Sequence, residues 1–339
     1  MKPKFSIIVP VYNRPDELLE LLGSLSAQSF RDFELVVIED GSQFSSAHLI
    51  STYKDKFPLI YLEQENTGPA IARNNGMKAA RGEYFLFIDS DCMAPADWLE
   101  SLATALKANP IDAFGGPDLA APDFNLLQRA ISFAMTSFLT TGGIRGGKKQ
   151  IDRFYPRSFN MGIHRRIFEQ LGGFPVTAMH PGEDMVFTIE LIRKGFKTAL
   201  FPDCGVYHKR RSNLVSFFRQ VFKFGKTRYI ISKVYPHTAK WIFWVPSALL
   251  AGLILMITLS ILFSVWVLAP VFLYASLIFL TASLPHGCFK LGLLSMLTSA
   301  IQISAYGIGF ISAVLKIKIL KKDEYAVLKD GFYHRDKEA

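Results

Sequence analysis

Two aspartates one serine apart, Asp89 and Asp91, close an apolar run from Tyr84 to Ile88. An uninterrupted apolar run of that length reads as a strand covered on both faces. In an open α/β sheet, ligands gather at the carboxyl ends of the strands, so both carboxylates stand where chemistry is expected. Paired carboxylates there suit a hard divalent cation, Mn2+ or Mg2+, which prefers oxygen and shares its shell with substrate phosphates. A plain turn after a strand also uses aspartates, and the triplet alone does not separate the two uses.

The elements before that strand must place it. Phe5 to Val11 reads as a first buried strand, ended by Pro10 and the turn-prone Asn13-Arg14-Pro15. Leucines at 18, 19, 21, 22 and 25 give Asp16 to Ala27 a helical spacing, with Asp16 and Glu17 at its positive end. Phe33 to Ile38 is a second apolar strand and closes on Glu39-Asp40-Gly41-Ser42. Ala47 to Tyr53 reads as a helix, Leu59 to Leu62 as a strand, and Ala70 to Ala80 as a helix after the break at Asn66-Thr67-Gly68-Pro69. Strands alternating with helices imply a parallel sheet with right-handed crossovers. The turn after the first strand lacks the glycines of a dinucleotide fingerprint, and no phosphate-binding P-loop occurs.

The 339 residues carry a mean hydropathy of +0.22, and the apolar excess is concentrated. No Asp, Glu, Lys or Arg occurs from Trp241 to Phe289, or from Leu291 to Leu315. Each stretch exceeds the roughly 20 apolar residues that a bilayer-crossing helix needs. Trp241 to Phe263 and Val265 to Leu284 read as two crossings joined near Ser264. The third stretch, rich in Gly and Ser, ends in Lys316, Lys318, Lys321 and Lys322. Three crossings would put this basic tail outside, whereas two crossings and a re-entrant or interfacial segment would keep it inside. Leu126 to Leu139 reads as a core or interfacial helix, and Gly142 to Lys149 as a surface loop or a flap over the acceptor.

No cleavable signal is read at the start, since Phe5 to Val11 is too short for one. Cys92, Cys204 and Cys288 show no pairing or metal spacing, so the N-terminal part is expected in the cytoplasm. The net charge is +9, and twelve Lys or Arg residues against the single acid Asp203 lie between Arg193 and Lys240. No nucleic-acid motif accompanies them, and their place before the first apolar stretch suits the cytoplasmic face of an anionic membrane.

Taken together, Ile7-Ile8-Val9-Pro10-Val11-Tyr12-Asn13, Glu39-Asp40-Gly41-Ser42, Asn66-Thr67-Gly68 with Ala72-Arg73-Asn74-Asn75-Gly76, and Asp89-Ser90-Asp91 resemble the family 2 glycosyltransferases. The resemblance implies an α/β GT-A fold: a mostly parallel sheet with helices on both faces, here followed by C-terminal transmembrane helices. The expected organisation is a catalytic domain over 1–235, with a donor half to 115 and an acceptor half from 116. A transmembrane region over 236–320 and a polar tail over 321–339 follow. By the same resemblance, Pro10, Tyr12, Glu39, Asp40, Arg73, Asp89 and Ser90 would bind the donor, with Asp40 accepting from a base N–H and Arg73 meeting base or phosphates. Asp91, Asp89 and His208 would hold the metal. Glu39 stands where many relatives have Asp.

Arg157-Ser158-Phe159-Asn160-Met161-Gly162-Ile163 resembles the family segment that lines the acceptor, which assigns Asn160, Met161 and Gly162 to acceptor binding. His180-Pro181-Gly182-Glu183-Asp184 resembles its Glu-Asp position. Inversion is a single displacement, so one carboxylate must take the acceptor proton. Asp184 is the expected base, with Glu183 orienting acceptor or base, although an aspartate there could also cap the helix 185–194. The Gln-x-x-Arg-Trp of processive synthases is replaced by Gln220-Val221-Phe222-Lys223-Phe224, which removes a guanidinium and an indole platform and points to transfer of a single sugar.

The expected activity is transfer from a nucleoside diphosphate sugar, UDP-sugar favoured, to a hydroxyl of a lipid-linked glycan at the inner membrane. The alternatives are a polyprenyl-phosphate glycosyltransferase and a catalytically silent membrane protein that binds nucleotide or lipid. A transporter is disfavoured because the apolar stretches lack ionisable residues beyond His286 and Lys290.

Overall fold

A computed structural model describes residues 2–142, 154–176 and 181–329. The loop expected over Gly142 to Lys149, His180 and the end of the polar tail fall wholly or mostly outside the described residues. The chain forms two compact units, one of residues 2–121, 154–176 and 183–209, the other of 122–142, 181–182 and 210–329.

The first unit opens with β1 (Phe5–Val11), α1 (Pro15–Ser26), β2 (Phe33–Asp40), α2 (Ala47–Tyr53), β3 (Leu59–Gln64), α3 (Pro69–Ala79) and β4 (Tyr84–Ile88). After β5 (Cys92–Met93) come α4 (Trp98–Ala108), β6 (Ala113–Gly115) and β7 (Asp118–Leu119). The second unit contributes α5 (Leu126–Thr136) and α6 (Phe138–Thr141) before the chain returns with β8 (Asn160–His164), α7 (Arg165–Leu171), α8 (Glu183–Arg193), β9 (Thr198–Leu200) and β10 (Val206–His208).

Seven strands form the main sheet in the order β3-β2-β1-β4-β8-β6-β9. All adjacent pairs are parallel except those of β8, which runs antiparallel between β4 and β6. The sheet is therefore mostly parallel rather than wholly so. Apolar side chains alternate to two buried layers, as a sheet covered on both faces requires. On one side, Phe5, Ile7 and Val9 pack with Leu18, Leu22 and Leu25 of α1 and Leu99 and Leu102 of α4. On the other, Ile8, Phe85 and Phe87 pack with Met77 of α3, Ile167 of α7 and Phe187 and Leu191 of α8.

A second sheet of three short strands, in the order β5-β10-β7, is what brings the distant parts of the site together. His208 stands opposite Cys92 across the antiparallel β10–β5 pair, and Val206 opposite Asp118 across the parallel β10–β7 pair.

The second unit continues with α9 (Leu214–Val234), capped by Asn213, whose side chain accepts from the Ser216 N–H at 2.8 Å. Next come α10 (Val245–Leu262), α11 (Ala269–Ser283), α12 (Phe289–Val314), a short π-helical turn at Leu315–Ile319 and α13 (Glu324–Lys329). Among the described residues, three helical stretches, Trp241–Leu262, Val265–His286 and Phe289–Ile319, are long and apolar enough to cross a membrane.

Candidate active site

The carboxyl end of β4 releases Asp89, Ser90 and Asp91 into a tight turn closed by the Cys92 N–H bonding back to the Asp89 carbonyl at 3.0 Å. Asp91 is clasped from two sides. Arg14 Nη1 reaches Oδ2, and His208 Nε2 lies 3.3 Å from Oδ1. The other imidazole nitrogen faces Asp118 Oδ1 at 3.6 Å, and the ring stacks on Phe159 at 5.2 Å between centroids. Asp118 and Phe159 thus fix the plane and direction of the imidazole, as outer partners of a ligating histidine do.

Burial opposes the charge on Asp91, but the hydrogen bond and charge of His208 and the charge of Arg14 hold its carboxyl well below the usual range. Burial would lower the His208 pKa, yet Asp91, Asp118 and Asp89 together raise it. Asp89 moves the other way: burial raises it, the Arg73 charge pulls it down, and the neighbouring Asp91 adds to the rise. Two adjacent carboxylates in different charge environments can therefore take different roles.

Asp91, Cys92 and His208 bring a carboxylate, a thiol and an imidazole within 4.8 Å of one another. Burial pushes the Cys92 thiol well above its ordinary pKa, and the thiol points to the Phe159 carbonyl, so it stays protonated. The effective donors are oxygen and nitrogen, which fits Mn2+ or Mg2+ better than a thiophilic ion. Asp89 and Asp91, with His208, are the residues that would hold such a cation.

Arg73 connects this centre to the second carboxylate pair. Its guanidinium, almost fully buried, bonds Asp89 Oδ1 at 2.9 Å and Glu183 Oε1 at 3.1 Å and lies over the Phe174 ring. Both terminal nitrogens are thereby engaged with carboxylates rather than turned outward to a base. Asp184 follows Glu183 in the first turn of α8, where the positive helix end favours acids. Its Oδ1 meets Arg157 Nη1 at 3.4 Å and the Met185 N–H at 2.7 Å. Because α8 starts at Glu183, Asp184 lies inside the helix and not at the capping position before it.

The acids at the end of β2 are buried and occupied. Asp40 accepts from the Thr67 and Gly68 N–H groups, each at 2.9 Å, and from Gln64 Nε2 at 2.7 Å, tying down the turn that starts α3. Gly68 at the start of that helix has φ +90°, a conformation that favours glycine. Glu39 accepts from the Ser46 N–H at 2.8 Å, from the Tyr61 hydroxyl at 3.1 Å and from Ser42 Oγ. Pro10 lies in β1 opposite Ile38, Tyr12 is half-buried just beyond the strand, and Ser90 is buried. The site thus gathers Asp89, Asp91, His208, Arg73, Glu183 and Asp184, while Glu39 and Asp40 shape the loops beside it.

Asn160, Met161 and Gly162 are not brought to an open surface. They form β8 in the middle of the sheet, paired with Ile88, Phe87 and Leu86. Asn160 donates to the Cys204 carbonyl at 2.8 Å, and a methyl group on Gly162 would fall 2.1 Å from the Phe114 ring. All three are buried in this central strand.

Four participants were not singled out from the sequence: Arg14, Asp118, Arg157 and Phe159. Arg14, Arg157 and Phe159 stood inside quoted motifs, but their partners Asp91, Asp184 and His208 lie far away in sequence and left no local signal. Asp118 had no local signal, since only the β10–β7 pairing brings it to His208.

A model of glycosyl transferase family 2 matches residues 6–172. An uncharacterized glycosyltransferase of Rickettsia felis is 40% identical over 106 residues, which covers 31% of this chain and 18% of that protein. The chain therefore spans less than a fifth of that relative. A putative teichuronic acid biosynthesis glycosyltransferase, TuaG of Bacillus subtilis, is 27% identical over 223 residues, covering 63% of this chain and 82% of that one. Among solved structures, the mannosyltransferase PcManGT of Pyrobaculum calidifontis, in complex with GDP-Man and Mn2+, aligns with TM-score 0.56 and 20% identity. It covers 95% of this chain and 89% of its own, a likeness of fold.

Proposed function

The chain belongs to the family 2 glycosyltransferases, and on that footing we propose that it transfers one sugar from a nucleoside diphosphate sugar, a UDP-sugar favoured, to a hydroxyl of a lipid-linked glycan. The setting is the cytoplasmic face of an inner membrane, in cell-surface polysaccharide assembly. The observation that carries this reading is the Arg73 bridge, which joins the Asp89–Asp91 end of β4 to the Glu183–Asp184 start of α8. Binding of the departing diphosphate and deprotonation of the acceptor need acids of opposite duty a short distance apart, and this bridge supplies them.

In this reading Asp91, Asp89 and His208 are the residues that would hold the divalent cation. A bound Mn2+ or Mg2+ supplies charge that offsets the negative charge developing on the diphosphate. Asp184 accepts the acceptor proton, and Arg157 Nη1, 3.4 Å from its Oδ1, positions that carboxylate. Glu183 orients Arg73. Pro10, Tyr12 and Ser90 border the donor. The teichuronic acid relative supports a cell-surface glycan as acceptor, and the three apolar helices support membrane attachment.

The test is a donor screen on the purified full chain with Mn2+ or Mg2+, reading nucleoside diphosphate release in the presence of polyprenyl-diphosphate oligosaccharide or of polyprenyl phosphate. Acceptor-dependent release with the oligosaccharide, lost in Asp91→Ala and Asp184→Asn, is the expected result. Release with polyprenyl phosphate alone would shift the acceptor assignment to that lipid. Unchanged transfer in both variants would overturn the assigned roles.

A further inference from the structure

Taking the membrane reading above as its premise, we infer that α12 does not cross the bilayer but lies along the interface on the side from which α10 enters, its apolar stripe against anionic lipid. Gly307 of α12 abuts the first turn of α10: a methyl group there would sit 3.0 Å from the Pro246 carbonyl oxygen, and Ser247 Oγ donates to the Gly307 carbonyl at 3.2 Å. Gly292 of the same helix abuts the last turns of α11, against Phe279 and Ser283. If α10 leaves and α11 returns, the first turn of α10 and the last turn of α11 belong to the same membrane side. The helix touches both, at points about 22 Å apart along its axis at 1.5 Å per residue. A third crossing would instead carry Gly307 that distance toward the far side, most of the roughly 30 Å hydrocarbon core.

The neighbours of α12 agree. Tyr306, Gly309 and Phe310 pack against α9 so closely that a methyl group on Gly225 would fall 2.1 Å from the Tyr306 carbonyl oxygen. One on Gly309 would fall 2.1 Å from that of Phe222. Helix α9 carries Arg219, Lys223, Lys226, Arg228 and Lys233, a density of charge that excludes it from hydrocarbon. The part of α12 before this contact, from Phe289 to about Ser304, is too short to span the core by itself.

The amphipathic pattern is inverted relative to a soluble helix. Ser295, Thr298, Ser299 and Gln302 are buried, with Thr298 donating to the Ala130 carbonyl of α5 at 2.9 Å. Phe289, Leu293, Leu297, Ile308, Leu315 and Ile319 are exposed. At 100° per residue the four of these within α12, Phe289, Leu293, Leu297 and Ile308, fall within about 100° of arc on one face, and Leu315 and Ile319 follow in the π-helical turn. Lys316, Lys318, Lys321 and Lys322 follow at its end, as an interfacial helix on an anionic leaflet would have them.

The experiment uses the full chain in bacterial cells with Cys288→Ser and one new cysteine at a time, Ser264→Cys between α10 and α11 or Lys322→Cys after α12. A membrane-impermeant maleimide is applied to intact and to permeabilised cells. The expected result is labelling of Ser264→Cys in intact cells and loss of labelling of Lys322→Cys unless the cells are opened. Labelling of Lys322→Cys from outside would establish three crossings and overturn the inference. Protection of both positions in intact cells would also overturn it, by removing the α10–α11 crossing, and would refute the membrane-spanning premise while leaving sugar transfer in the donor screen unaffected.

Discussion

Arg14 Nη1 sits 2.5 Å from Asp91 Oδ2, so the carboxylate best placed to hold a cation already has one. A divalent ion must compete with this guanidinium. The arginine is about one-third exposed, which limits the pair to on the order of 1 kcal/mol. Arg14→Ala is expected to tighten Mn2+ binding to the donor-free protein by roughly fivefold. Electron paramagnetic resonance of free Mn2+ measures this directly, with Asp91→Asn as the variant that loses binding. Equal affinity in wild type and Arg14→Ala would show that the pair does not compete.

Arg73 neutralises two carboxylates at once, Asp89 and Glu183. Removing one partner of a buried ionic group leaves the others uncompensated, at about 3–5 kcal/mol. Arg73→Met should therefore lower the thermal midpoint markedly as well as abolish activity, whereas Asp184→Asn should abolish activity and leave the midpoint near wild type. A stable, inactive Arg73→Met protein would argue that its guanidinium acts on substrate instead.

The expected acid sensitivity traces to Glu34. Its side chain is fully buried and accepts from Ser6 Oγ at 2.6 Å, the Arg81 N–H at 2.5 Å and Arg81 Nε at 2.9 Å. Burial alone would raise its pKa, but these bonds and the Arg81 charge hold it below the ordinary value. A depressed folded-state pKa contributes stability above the unfolded value of about 4.3, lost as pH falls through the folded value. Thermal midpoints of wild type and Glu34→Gln should therefore differ most at neutral pH and converge at low pH. A constant difference across the range would exclude this origin.

Gly162 tests whether β8 serves packing or acceptor recognition. A methyl group there meets the Phe114 ring, and overpacking of that kind costs typically 1–3 kcal/mol. Gly162→Ala should lower the thermal midpoint. A change in acceptor KM with an unchanged midpoint would place the segment on the acceptor side.

Local pattern carried much of the architecture. The apolar run Tyr84 to Ile88 is β4 to the residue, and Ala47 to Tyr53 is α2, because burial on both faces and helical spacing are short-range properties. Antiparallel β8 and the strip β5-β10-β7 left no such mark, since strand direction and partner are set by residues far apart in sequence. The same limit applies to the site. Asp89 and Asp91 announce themselves at a strand end, while the Asp118–His208 contact depends on a two-residue strand. Asp40 shows the opposite case: its motif was visible, but its hydrogen bonds to the Thr67 and Gly68 amides emerge only once the turn before α3 is folded.

Strand β8 also sets a schedule for assembly. Strands β1 to β4 can pair as they are made, but β4 then presents a bare edge until Asn160–His164 arrives. During that interval the apolar Tyr84 to Ile88 segment has backbone donors and acceptors open to a wrong neighbour, so synthesis passes through an aggregation-prone window. Protease digestion of ribosome-stalled chains should find β4 sensitive when synthesis is halted before β8 emerges and protected once it has emerged. Asp91 and His208 come together later still, when β10 pairs with β5 and sets His208 opposite Cys92, so this contact is missing while the first sheet is still unfinished.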